Sequence, residues 1–146
     1  MQIYDFIIYS GFTLLILVNT CLVLCDYIKT PFDILLLVTE YCTALFLIVG
    51  TYTSNTVVID IAHVGLGLFM FFGSLFSQNS HMQLVLIIIL ILTIASRHYY
   101  QGCIIKRINK KSTNLSRTIK EINNYLCINF YVLYPMLLAI VLLRFI

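Results

Sequence analysis

Long apolar runs separated by short polar stretches set the pattern of this 146-residue chain. The runs lie at 6–25, 33–51, 56–76, 83–100 and 125–146. An α-helix rises about 1.5 Å per residue, so about 20 apolar residues cross the ~30 Å hydrocarbon core of a bilayer. The runs lack the strict alternation of membrane strands, and a helix satisfies its own backbone hydrogen bonds in lipid. The pattern therefore predicts an all-α, polytopic transmembrane helical bundle with five spans, forming a single membrane domain over 1–146.

The fourth run is the shortest. Its unbroken apolar core covers only 84–95, and it reaches spanning length by including Met82, Tyr99 and Tyr100. If 83–96 does not cross, the count falls to four spans and the topology of the neighbouring runs changes.

Composition narrows the class of protein. The chain is 61% hydrophobic and 10% charged, whereas soluble domains carry about 25% charged residues, so it cannot cover a water-facing surface of its own. We find no sequence motif that pairs a nucleophile with a base, cradles a phosphate or clusters metal ligands. We therefore expect no enzymatic activity, no catalytic residue, no cofactor and no metal site.

The five cysteines, an odd number without a CxxC pair, are expected to serve mainly as small apolar side chains.

The basic residues are concentrated in one segment. Seven of the nine lie between Arg97 and Lys120, and only Glu121 offsets them locally. Spans flank this segment, which argues against a nucleic-acid partner. Loops on the inner side of a membrane collect Lys and Arg, so segment 97–121 is predicted to face the cytoplasm or an organelle matrix.

The same segment has an amphipathic pattern. Ile104, Ile108, Leu115, Ile119 and Ile122 follow one another at spacings of 4, 7, 4 and 3, which places them on one helical face. We predict that 101–124 is a basic amphipathic inner loop at headgroup level. The residues predicted to bind anionic lipid headgroups are Lys106, Arg107, Lys110, Lys111, Arg117 and Lys120. The alternative is a plain extension of the fourth helix that anchors it.

Polar residues inside the runs form the candidate site. Asp60 and His63 share one face of the third run, Glu40 lies in the second, and Asn19 lies in the first. An ionisable group at this depth costs ~2.5–3.5 kcal/mol, so these four are predicted to form an intramembrane polar cluster facing other helices. In antiparallel helices, Glu40 and His63 would lie roughly 7–8 Å apart along the axis.

Two interpretations of this cluster remain. It fixes which helices pair, which makes the protein a structural or interaction component of a membrane complex, an envelope or an organelle membrane, bound to other subunits or to itself. Alternatively, Glu40, Asp60 and His63 serve a small proton or ion channel or transporter. A haem bound by two histidines does not fit, because His81 and His98 lie in a loop and at the interface rather than at the depth of His63.

The third run carries a second face of mostly small residues, Ala62, Gly65, Phe69 and Gly73. Small residues let membrane helices approach closely. The third helix is therefore predicted to be packed by neighbouring helices rather than surrounded by lipid.

Overall fold

The structure, a computed structural model, describes residues 3–25, 30–100 and 114–146. These residues form six helices and no strand: α1 (Ile3–Leu24), α2 (Pro31–Tyr52), α3 (Thr56–Phe76), α4 (Ser80–Tyr100), α5 (Asn114–Tyr125) and α6 (Phe130–Phe145). The prediction of an all-α bundle is confirmed.

Three helices, α2, α3 and α4, are long and apolar enough to cross a membrane, and α5 with α6 would add a fourth if that bent pair is one span. Fewer than half of the residues in each of the three spans are buried against the rest of the chain. The extensive apolar surface that remains is typical of a protein that lipid or partner helices cover. By length and composition, the chain is a multi-pass integral membrane protein.

The fourth run forms a helix of spanning length. α4 has 21 residues and begins at Ser80. Asn79 caps this start by accepting hydrogen bonds from the backbone N–H groups of His81 and Met82. In α1, the apolar stretch with described side chains, Ser10–Leu22, is shorter than a span. Five spans therefore stay a prediction, whereas three to four are shown.

The fifth run differs from its predicted bounds of 125–146. α6 begins only at Phe130 and has 16 residues, and α5 meets it at a bend of 77°. Two local features end one helix and start the next. Cys127 adopts a left-handed backbone with φ of 51°, and Asn129 caps α6 by accepting from the Tyr131 N–H.

α2 and α3 form the closest helix pair and run antiparallel. A turn through Ser54, with φ of 53°, joins them, and Asn55 caps α3 by accepting from the Val57 and Val58 N–H groups. Gly50 of α2 lies against Ile59 of α3.

The main core lies where α3, α4 and α6 meet, beside α2. Phe69, Met82, Leu86 and Leu90 are fully buried there, with Val141 of α6 against them. Gly73 of α3 leaves room for the Leu86 side chain of α4. This confirms the prediction that neighbouring helices pack α3.

The bundle has two ends, named here by their residues. The Asp33 end holds the starts of α2 and α4 and the last turns of α3 and α6. The Arg97 end holds the last turns of α2 and α4 and the starts of α3 and α6. α1 packs on α2, with Asn19 beside Glu40 and Phe12 against the cluster of Leu47, Ile59 and Ala62.

Candidate functional site

Glu40 and Asn19 form a buried polar pair between α1 and α2. Both side chains are almost fully enclosed, at 2% and 1% exposure, and the Asn19 amide lies beside the Glu40 carboxyl. The Asn19 amide is the neighbouring donor to the Glu40 carboxyl, yet among the described residues no contact of either Glu40 oxygen or of Asn19 Oδ1 reaches full hydrogen-bond geometry. Buried polar atoms are almost always hydrogen-bonded, so this pair is exceptional and is the candidate site.

Asp60 and His63 do not hydrogen-bond with Glu40. Thr43 lies against Gly65, and Gly50 lies against Ile59. This register places His63 opposite residues 45 and 46 of α2, about 8 Å along the axis from Glu40 at 1.5 Å per residue. Asp60 and His63 are half-buried and have interactions of their own. Of the four residues predicted to cluster, the structure brings Glu40 and Asn19 into direct proximity.

Apolar side chains flank the Glu40–Asn19 pair along the bundle axis. Leu36 and Leu37 lie one turn before Glu40, and both are buried. In the other direction, Ala44 and Leu47 are buried, with Phe12 packed against the cluster that contains Leu47. Thr43 is also buried on that side, so the surroundings of the pair are mainly, but not entirely, apolar.

A second polar network, at the Asp33 end, joins α2 to α3. Asp33 is fully buried and accepts hydrogen bonds from the Thr30 hydroxyl and from Ser77 Oγ at 2.6 Å. Thr30 also caps α2, because its Oγ1 accepts from the Asp33 N–H at 3.1 Å. The apolar pattern places Asp33 at the start of the second run, 33–51, but gives no sign that its side chain is buried. The order Thr30, Pro31, then an acidic third residue is a helix-start signal that could have placed it on α2.

Arg144 connects α6 to the end of α3. Its guanidinium donates to the carbonyl oxygens of Ser74 at 3.0 Å and Ser77 at 2.6 Å. Gln83 of α4 also donates to the Ser77 carbonyl, at 3.0 Å. The last carbonyl groups of a helix lack hydrogen-bond partners within the helix, and they form the negative end of its dipole. A cation at this position donates the missing hydrogen bonds and offsets the negative charge. Sequence spacing gave no signal for this contact.

Arg97 lies against aromatic rings at the opposite end. Its guanidinium carbon is 4.9 Å from the ring centre of Phe130, 5.6 Å from Tyr131 and 5.4 Å from Tyr134. These are cation–π distances. Arg97 belongs to the basic segment by sequence, yet in the fold it fastens the last turn of α4 to the start of α6.

The predicted lipid-binding residues divide into two groups. Arg117 and Lys120 are exposed on α5. Lys106, Arg107, Lys110 and Lys111 lie outside the described residues. Helical structure over Asn114–Tyr125 agrees with the amphipathic pattern in that part of 101–124.

The described residues contain no group of three or more His, Cys, Asp or Glu side chains placed to hold a metal ion. Comparison of the chain with protein-family models, curated proteins and solved structures gave no match. The polar groups of the bundle are therefore interpreted from their geometry alone.

Proposed function

We propose that this protein is a structural or interaction component of a membrane complex, in which buried polar side chains specify helix pairing. The observation that supports the proposal most is the burial of the Glu40–Asn19 pair where α1 meets α2, with apolar side chains before and after it along the bundle. A conduction path needs polar groups or water from one side of the membrane to the other.

The other polar contacts agree with this role. Asp33 joins α2 to α3, Arg144 joins α6 to α3, and Arg97 joins α4 to α6. Each contact links two helices, and interhelical hydrogen bonds in membranes average only ~0.6 kcal/mol. Their main effect is to select one arrangement of helices, and the apolar outer faces stay available to lipid and to partner helices.

A second function, proton or ion handling through Glu40 with Asp60 and His63, has one specific observation in its favour. Both Glu40 oxygens are buried without a hydrogen-bond partner among the described residues. Ionisable groups inside membranes are often part of ion and proton pathways.

Glu40→Gln separates the two functions. In the proposed role, the full chain in sealed vesicles moves no more protons or sodium than protein-free vesicles. Glu40→Gln folds with a stability within about 1 kcal/mol of wild type, because it keeps the side-chain shape and avoids burying a charge. Flux assays with a pH-sensitive dye and with ²²Na⁺, together with denaturation in mixed micelles, measure both properties. Glu121→Gln, at an exposed carboxylate on α5, is the matched control.

Flux that Glu40→Gln abolishes and Glu121→Gln preserves would establish transport instead. The interaction role has its own test, which is the mass of the protein extracted at native abundance in mild detergent. We expect a stoichiometric assembly larger than one chain, and a monodisperse monomer would contradict the role.

We also propose that the Arg97 end faces the cytoplasm or matrix, because inner loops collect basic residues. Two exposed cysteines lie at opposite ends of the bundle, Cys25 after α1 and Cys127 before α6. In intact cells, or in isolated organelles whose outer face is accessible and whose inner membrane is sealed, a membrane-impermeant maleimide is expected to label a variant that retains only Cys25. It should label a variant that retains only Cys127 after permeabilisation alone. The reverse pattern would invert the orientation.

A further inference from the structure

α5 runs in a different direction from the helices of the bundle. α6 packs antiparallel along α4, a helix of spanning length, so α6 follows the bundle axis. α5 is bent by 77° from α6 and therefore runs nearly across that axis. In a bundle that crosses a membrane, a helix in this direction lies close to the membrane plane.

The side chains of α5 separate into two faces. Leu115, Ile119 and Ile122 fall at spacings of four and three, on one face. Leu115 and Ile122 are exposed, at 37% and 50%, whereas Ile119 between them is half-buried and α5 also contacts α3. Arg117 and Lys120 are exposed on the other side of the helix. This division is typical of a helix lying in the interface between water and lipid.

Exposed tyrosines mark the depth at which α5 lies. Among the tyrosines whose side-chain burial the structure describes, those exposed are Tyr52, Tyr99, Tyr125 and Tyr131. They lie in the last turns of α2, α4 and α5 and in the first turn of α6, so all four lie at the Arg97 end. Tyrosine is enriched at headgroup level, where its ring is apolar and its hydroxyl is hydrated. α5 and this belt thus share one level.

The charge at this end complements an anionic surface. Arg117 and Lys120 outnumber Glu121 on α5, and the sequence at 106–111 contributes four further cations just before it. Arg97, in contrast, is already engaged with three aromatic rings. Basic segments next to spans are attracted to anionic lipids.

We propose that α5 is an interfacial helix that inserts Leu115 and Ile122 into the bilayer surface at the Arg97 end and binds anionic phospholipid headgroups through Arg117 and Lys120. This surface acts whether the protein assembles with partners or transports ions, so its test is independent of both functions. The membrane-spanning helices of the same chain hold α5 near the bilayer, so lipid binding by α5 has only to orient it at the surface.

The experiment uses the full chain in nanodiscs of phosphatidylcholine, with or without phosphatidylglycerol. In a background without native cysteines, Ile122→Cys and Asn124→Cys each carry a nitroxide label. Collisions with oxygen, which concentrates in lipid, and with a water-soluble nickel chelate report the surroundings of each label. We expect the label at 122 in lipid and the label at 124 in water. Anionic lipid should raise the equilibrium constant between the state with the label at residue 122 in lipid and the state with that label in water.

Lys120→Gln and Arg117→Gln are each expected to reduce, about fivefold, the increase in this equilibrium constant that anionic lipid causes. One cation near an anionic surface contributes ~1 kcal/mol, which corresponds to a factor of about five. Glu121→Gln is the matched control, because it alters the neighbouring side chain without removing a cation, and it should not reduce the enhancement.

Three results would overturn the proposal. If residue 122 is in lipid but indifferent to anionic lipid and to both cations, headgroup recognition is wrong. If its label is shielded from both reagents and immobilised, a protein surface, such as a second copy of the chain, covers the face. If 122 and 124 both contact the nickel chelate, α5 is not interfacial.

Discussion

Asp33→Leu is expected to lower the free energy of unfolding by about 2–4 kcal/mol, because it leaves the buried Ser77 hydroxyl without its acceptor and removes the Thr30 contact. The carboxylate of Asp33 is fully buried and accepts from Ser77 on α3 and from Thr30 at the start of α2. Leucine has the same number of side-chain heavy atoms but bulkier methyl groups and accepts no hydrogen bond, so crowding at this fully buried position adds to the loss. Denaturation with sodium dodecyl sulfate in mixed micelles, followed by circular dichroism, measures the change.

The comparison variants identify which bond matters. Glu121→Leu removes an exposed carboxylate and is expected to change stability by less than about 0.5 kcal/mol. Ser77→Ala removes only the bond between helices, so a double-mutant cycle of Asp33→Leu with Ser77→Ala isolates its coupling energy. If Asp33→Leu costs no more than Glu121→Leu, the network does not hold α2 to α3.

Gly50→Ala is expected to destabilise the bundle by about 1–3 kcal/mol through overpacking. A methyl group at Gly50 would lie 2.9 Å from Ile59 Cγ1 and 3.0 Å from the Ile59 backbone nitrogen. The side chain of Ile59 could rotate away, but the backbone nitrogen moves only if α3 moves. The same denaturation assay measures the loss.

Gly67→Ala is the matched control for Gly50→Ala. Gly67 also lies inside a helix, yet a methyl group there would meet no atom within 4 Å. Alanine stabilises an unobstructed helical position by about 0.5–1 kcal/mol relative to glycine. The two substitutions therefore predict opposite signs, and equal effects would show that α2 and α3 do not meet closely at Gly50.

Much of the fold follows from the apolar pattern. Uninterrupted apolar runs form helices because lipid offers the backbone no other hydrogen-bond partner. α3 matches its predicted bounds of 56–76, and α2 begins at Pro31, two residues before the predicted start of the second run. The division between α5 and α6 was missed, because the local geometry of Cys127 and the cap at Asn129 leave little trace in hydropathy.

The candidate site was predictable in part. Insertion cost identified Glu40 and Asn19 as groups that must face the interior, and both are buried. Their pairing with each other, rather than of Glu40 with His63, depends on how α1 lies on α2. Periodicity assigns a residue to a face of its own helix and carries no information about the neighbour's rotation or axial offset.

The sequence by itself determined the apolar character of the helices, the helical class of the fold, and that Glu40 and Asn19 had to be buried. Those properties depend on each residue's own transfer free energy and on the helical repeat, which are local. Only the tertiary structure decided that Asp33 and Arg144 meet at the end of α3, that Arg97 lies against the rings of α6, and that α5 runs across the bundle. These contacts join residues distant in sequence, and the packing of whole helices fixes them.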